Sequence, residues 1–410
     1  MTKISLSANQ VDYLLTPTAI RERAAKIFSL AEAGSTYFQF HPEKMPATVD
    51  YVLSVIRKNY PDLQIPFHSR WGHFRVGGVD RVRLLDQQLE KKYGVKNPSE
   101  KARCKLDLVI TSVLLDAGAG ASWKFFEKSS GKEFSRSEGL GIASLHLFLS
   151  GAMSHDKSLQ ATSQGLKSIS NKNLEQAFQV SEKNPLIGVE GRVLLLNNLA
   201  RALENKKIFK DHRPGNILDH LIEKFGKTVP ATGILGAVLE GLGPIWPGRI
   251  FALDRSLGDV WQHSSLGPAG SFESLVPFHK LSQWMTYSLI EPIMEAGIQV
   301  TGVEQLTGLA EYRNGGLLVD SGLVSLRNPE NLKQAWKPDS NLVIEWRALT
   351  VHLLDQFGIA VQKTFGKTPQ EFPLAKVLEG GTWWAGRFLA QEKRASGDPP
   401  IQIQSDGTVF

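Results

Sequence analysis

Apolar residues return three and four positions apart through most of the chain, while strict alternation is scarce, so the pattern predicts helices with few strands. Thr16-Pro17 opens a helix in which Ile20, Ala24, Ile27, Phe28 and Ala31 form one face, and Gly34 is placed to end it. A second helical pattern covers residues 46–58, ahead of the turn-rich Asn59-Tyr60-Pro61-Asp62. Pro98-Ser99-Glu100 reads as another start, and Leu106, Val109, Ile110, Val113 and Leu114 carry an apolar face towards Asp116, with Gly118-Ala119-Gly120 closing the helix. Arg136-Ser137-Glu138-Gly139 precedes a further apolar helix that runs through Leu149, and helices are expected over 189–203 and 217–225, with a polar, peripheral segment over 154–183. In 278–287, Lys280, Gln283 and Tyr287 share one stripe, expected to be the wet side, with Trp284 and Met285 buried. The end alternates Ile401, Ile403 and Val409 around Asp406-Gly407, which predicts a short strand or hairpin. No strand-helix alternation of dinucleotide-binding type and no repeat of 20–50 residues is present. The fold class is therefore mainly α, with a few short strands.

The chemistry is densest over residues 306–324, LTGLAEYRNGGLLVDSGLV. Leu306, Leu309, Ala310 and Arg313 keep helical spacing, and Asn314-Gly315-Gly316 is expected to break the helix before Leu317-Leu318-Val319. Such a break frees backbone N–H groups beside Glu311, Tyr312 and Arg313, the makings of an anion or sugar site. A tight turn between two core helices explains the same residues.

Composition narrows the class. With 410 residues, 42% hydrophobic and 21% charged, the chain is an ordinary globular one, read as a single mostly helical domain over 1–410, with room for two lobes and no clear linker. The net charge of +6 is scattered, and Lys206-Lys207-Ile208-Phe209-Lys210 is too short for a nucleic-acid footprint. Cys104 is the only cysteine, which excludes an internal disulfide and points to a reducing compartment. Neither a signal-like start nor a long apolar run is present, so a cytoplasmic protein is expected, with no nucleic-acid or membrane partner.

Three further stretches carry candidate chemistry. PFHSRWGHFRVGGVDR from Pro66 brings His68, Arg70, Trp71, His73, Arg75 and Arg81 together; arginine forks suit a phosphate, and local ion pairs suit the same residues. His68 and His73 have no third ligand near in sequence, so no metal is expected. Asp116 stands at a helix C-terminus, where the macrodipole disfavours an acid, so it requires an arginine or a ligand; Trp123 and Lys124 are close enough in sequence to share its pocket. Glu345 lies among aliphatic residues and needs a partner, with Arg313 and Arg347 the expected ones. Gly258 to His263 is an aromatic and polar turn to which the sequence assigns no purpose.

PFHSRWGHF, LLDAGAGASWKF, RSEGLGIASL, PFHKLSQWMTYSLIEP, LAEYRNGGLLVDSG, IEWRALTVHLLD, GGTWWAGR and IQSDGTVF together resemble the uracil-catabolism family of fungi and bacteria, long known only as a domain of unknown function. Several blocks also look like the queuosine-salvage N-glycohydrolases, whose fold is related to DNA glycosylases. Their D-x-x-N-F-x-F-W resembles Asp116 to Trp123, their L-T-x-F-A-D-Y-R resembles Leu306 to Arg313, and their E-I-R-A resembles Glu345 to Ala348. Their K-R-A-Q-I-L-V-A-D aligns through Lys280 and Gln283 but puts Ser288 where the acid would be, whereas Glu311 keeps the acid of the D-Y-R block in kind.

The resemblance implies a compact helical fold and hydrolysis of a ribosylurea-type intermediate, 5′-phosphorylated, to urea and ribose phosphate, without a cofactor. A non-catalytic binding or scaffold subunit of the same pathway is the alternative. Under the hydrolytic reading the carboxylate is Glu311, then Glu345, then Asp116, with Asp320 outside the shared block; Arg70, His73, Lys280 or Arg313 would hold phosphate, and Trp123 and Tyr312 would pack on the substrate.

Overall fold

The computed structural model describes residues 2–94, 97–116, 118–120, 122–246 and 248–404. It is mainly α-helical with short strands, as the apolar spacing predicts. The chain divides into two compact units, one formed by Met1–His68, Gly248–Gln283 and Gly302–Phe410, the other by Ser69–Pro247 and Trp284–Thr301.

In the first unit the Pro17–Glu32 helix packs along the Asn341–Phe365 helix. Thr16 caps the former through its side-chain oxygen, and Ile20, Ala24 and Ile27 meet Ile344, Ala348 and Val351 in a buried cluster. Short two-residue and three-residue strands tie the loops: Phe38–Phe40 pairs antiparallel with Val324–Leu326, and Val260–Gln262 antiparallel with Leu275–Pro277. The expected terminal strand is present as Gln402–Ile403, paired in parallel with Ala335–Trp336; the expected turn at Asp406-Gly407, with Val409 beyond it, lies outside the described residues.

The central stretch differs from its expectation. Residues 306–310 are not helical, and the helix runs Tyr312–Asp320 straight through Asn314, Gly315 and Gly316. Carbonyls in the non-helical run are met by arginines instead: Arg21 donates to the Leu306 oxygen at 2.8 Å and Arg347 Nε to the Ala310 oxygen at 3.5 Å. Packing outweighs the roughly 1 kcal/mol helix penalty of each glycine. A Cβ on Gly315 would lie 2.8 Å from the Trp346 ring, whose indole N–H donates to the Gly315 oxygen at 2.9 Å.

The same helix is approached still more closely by Trp383–Lys393, where a Cβ on Gly386 would lie 2.0 Å from the Arg313 carbonyl oxygen. That neighbour is backbone and cannot swing away. Gly386→Ala is therefore expected to cost at least the ~1–3 kcal/mol typical of overpacking. A denaturant midpoint equal to that of the native protein would remove this claim.

In the second unit the Pro98–Leu114 and Arg136–Leu149 helices pack together. A hairpin of Lys124–Glu127 and Lys132–Ser135 leads into the latter. The 154–183 segment is less peripheral than its polarity suggests, since Leu166, Leu174 and Phe178 are fully buried. The Lys280–Glu295 helix begins in the first unit and continues in the second. Among the described residues no helix is long and apolar enough to cross a membrane.

Candidate functional site

The turn without an assigned purpose holds a central acid of the first unit. Arg347, on the Asn341–Phe365 helix, meets Asp259 with both prongs, Nη1 to Oδ1 at 2.8 Å and Nη2 to Oδ2 at 2.7 Å. Asp259 also accepts from the Trp261 indole N–H at 2.6 Å and from the Lys280 amide at 3.0 Å, which opens the Lys280–Glu295 helix and has no acceptor within it. The Arg347 guanidinium carbon lies 4.1 Å from the Phe278 ring centre. Burial by itself drives the Asp259 carboxyl up, but Arg347, Trp261 and Lys280 outweigh it and hold the group below the ordinary aspartate value. His279 next to it is pushed down by burial, with its Nε2 facing the Leu14 oxygen at 2.9 Å.

Glu345 does not pair with either expected arginine. It precedes Arg347 by two residues on one helix, so the two side chains point to different faces. Its Oε1 lies 3.1 Å from His263 Nε2, and its Oε2 accepts the Tyr37 amide at 2.8 Å. Arg313 donates instead to the Gly397 oxygen at 2.7 Å and stacks over Tyr312 at 4.9 Å.

Glu311 is the N-cap of the Tyr312–Asp320 helix. Its two oxygens accept the Asn314 and Arg313 amides at 2.6 and 2.8 Å, so two fixed donors hold the carboxylate in one orientation, 7% exposed. Arg347 Nε reaches the Ala310 oxygen at 3.5 Å, which makes the cap and the Asp259–Arg347 pair neighbours. Asp320, at the other end of the helix, is held by both prongs of Arg394 at 2.8 and 2.6 Å.

A cavity of about 570 Å³ in the same unit opens on Trp261, lined also by Arg249, Ile250, Val260, Lys337 and Gln404. Arg249 stacks over Trp261 at 4.6 Å. Trp261 thus has the cavity on one side and Asp259 on its indole nitrogen. None of Asp259, Trp261 or Arg249 stood out as functional in the sequence; the readable signal was an acid and a tryptophan two positions apart after Gly258, whose φ is +66°.

The second unit holds Arg70, His73, Asp116 and Trp123. Arg70 is fully buried at the start of the short Arg70–His73 helix, with Nη1 3.0 Å from Asp116 Oδ1 and Nε donating to Ser112 Oγ at 2.7 Å. Ser137 Oγ donates to the other Asp116 oxygen. Arg192 donates to the Leu115 and Gly118 carbonyls at 3.0 and 3.2 Å, at the end of the Pro98–Leu114 helix. An acid at that helix end is thus offset by arginines, one of the two solutions the sequence left open. Burial lowers the pKa of both arginines, Arg192 to about 10, and Asp116 works against that fall.

His73 meets Trp284 edge-on at 5.8 Å, and Gly141 backs onto it, since a Cβ there would lie 3.1 Å from His73 Cβ. Trp123 is fully buried, stacked on Phe178, with its indole N–H donated to the Phe178 oxygen at 2.9 Å. Lys124 does not share the Asp116 pocket; it sits on the hairpin and pairs with Glu133 at 3.1 Å, because strand alternation turns it outward.

Glu311, Tyr312, Arg313, Glu345 and Lys280 thus belong to the first unit, and Arg70, His73, Asp116 and Trp123 to the second. Among the described residues no group of three or more His, Cys, Asp or Glu side chains is disposed to hold a metal ion.

A family model described as "Protein of unknown function (DUF1688)" matches residues 13–410. Protein urg3 of Schizosaccharomyces pombe is 38% identical over 416 residues, covering 99% of this chain and 100% of that protein. Uracil catabolism protein 4 of Lachancea kluyveri is 36% identical over 440 residues, covering 98% of this chain and 99% of that protein.

Proposed function

The chain belongs to the DUF1688 family, and on that premise we propose that it acts in uracil catabolism as an N-ribosidase, hydrolysing a 5′-phosphorylated ribosylurea to urea and ribose phosphate. The name of the Lachancea relative supports the pathway. The likeness of Leu306 to Arg313 to the queuosine-salvage block supports the bond, and with it a fold of DNA-glycosylase type.

In the reaction the C1′–N bond breaks, water supplies the new C1′ oxygen, and a proton passes to the departing urea nitrogen. Positive charge builds on the ribose as the bond lengthens, so a carboxylate fixed beside it lowers the barrier. The observation that carries the reading is Glu311: a nearly buried carboxylate, oriented by two backbone amides, in the block that resembles one of a C–N-cleaving family. Each oxygen keeps accepting capacity beyond its one amide. Glu345 and Asp116 follow as candidates. Lys280 or Arg313, in the unit that holds Glu311, is the cation proposed for the phosphate, with Arg70 or His73 of the other unit as the alternative, and Tyr312 is proposed to pack on the ribose.

One observation favours the second reading, a binding subunit without chemistry: Glu311, Glu345 and Asp116 all carry structural hydrogen bonds. Incubating the purified protein with ribosylurea 5-phosphate and assaying free urea separates the two. Urea above the blank supports the hydrolase; tight binding without urea supports the binding subunit.

A further inference from the structure

The polar stripe of the Lys280–Glu295 helix is not wet beyond Lys280, which is half-buried. Gln283 is fully buried and Tyr287 is 1% exposed, as deeply placed as Met285. Among the described residues neither Oε1 nor Nε2 of Gln283 has a hydrogen-bond partner. A buried carboxamide with both ends unpaired is costly, and native proteins retain such groups where something else completes them.

Its position says what. Gln283 follows Lys280 by three residues and so lies on the same helix face. The Lys280 amide is tied to Asp259, Asp259 to Arg347, and Arg347 to the Ala310 oxygen next to Glu311. Gln283 is thus one helical turn from the anchored start of its helix, in the unit that holds the proposed carboxylate. A carboxamide offers one acceptor and two donors in a plane, and the group complementary to it presents an adjacent N–H and C=O. A ureido group has that edge; ribose and phosphate do not.

We propose that Gln283 recognises the ureido end of the ligand, with Oε1 accepting a ligand N–H and Nε2 donating to the ligand carbonyl. The identity of the ligand as a ribosylurea rests on the function proposed above, whereas the donor and acceptor pattern rests on Gln283 alone. It also assigns discrimination: a site built to pair an amide edge rejects a compound that lacks it far better than a purely apolar pocket could.

The test is Gln283→Met, closest in shape without hydrogen bonding, with Gln283→Leu as the second variant. Each is expected to keep the native thermal midpoint or exceed it, because an unpaired polar group is removed. If the native protein releases urea, kcat/KM for ribosylurea 5-phosphate is expected to fall about 100-fold or more, while the inhibition constant of ribose 5-phosphate stays within about twofold. If it releases none, the same split is read directly as calorimetric Kd values for the two compounds, so the hydrolase reading can fail while this one stands. Equal weakening for both compounds, or none for either, overturns the assignment; so does a lowered thermal midpoint with ribosylurea recognition intact, which would mark Gln283 as structural.

Discussion

Asp259→Ala is expected to destabilise the first unit by about 3–5 kcal/mol, because it leaves the Arg347 guanidinium buried without its anion. Two further donors lose their acceptor at once, the Trp261 indole N–H and the Lys280 amide. Against the ~5–15 kcal/mol that holds a typical domain together, this is a large fraction. Pairing it with Arg347→Met should recover part of the loss, since removing both charges costs less than stranding one. Guanidinium chloride unfolding of the single and double variants measures both effects; a single-variant loss below about 1 kcal/mol would show that the pair does not hold the unit.

The sign of the pH dependence follows. The Asp259 carboxyl is held below its unfolded value near ~3.9, so its contribution is complete above that pH and is lost as the pH falls through the lower folded value. Acid unfolding of the native protein should therefore be steeper below about pH 4 than that of Asp259→Ala.

Glu311→Gln is expected to lower urea release by about 10²–10⁴-fold while costing less stability than Glu311→Ala, because one of the two cap bonds is kept. Glutamine keeps one oxygen to accept a helix amide but carries no charge to set against the developing ribosyl cation. Glu311→Ala removes the cap as well and should lose both activity and about 1 kcal/mol of stability. Comparing the two by urea assay and thermal melt separates cap from catalyst. Full turnover in Glu311→Gln would move the role to Glu345 or Asp116, and the matching Glu345→Gln and Asp116→Asn variants decide between them.

Helices were legible in the sequence wherever a single apolar face and a local cap coincide, as at Thr16-Pro17 and at Pro98 to Leu114, because both signals act within a few residues. The central stretch was legible as chemically dense but not in its shape. Gly315 and Gly316 read locally as a helix break, while in space they are the thin side of a helix that the Trp346 ring and the Pro400 ring press against. Local propensity near 1 kcal/mol per glycine gives way to packing contributed by residues tens of positions away.

Ion pairing was the least legible feature. That Glu345 and Asp116 need partners follows from their surroundings in the sequence, since a charge among aliphatics or at a helix C-terminus is costly alone. Which groups answer them is a matter of three-dimensional closure: His263 and the Tyr37 amide for Glu345, Arg70 and Ser137 for Asp116, and Arg347 for Asp259, whose turn has no purpose legible in the sequence. The sequence by itself determined the mainly helical class and the short list of acids and bases, because periodicity and residue chemistry are local. Only the tertiary structure decided that Glu311 caps a helix, that Trp123 is core, and that Gln283 is buried with no partner for its carboxamide among the described residues, because burial depends on what the rest of the chain lays over each face.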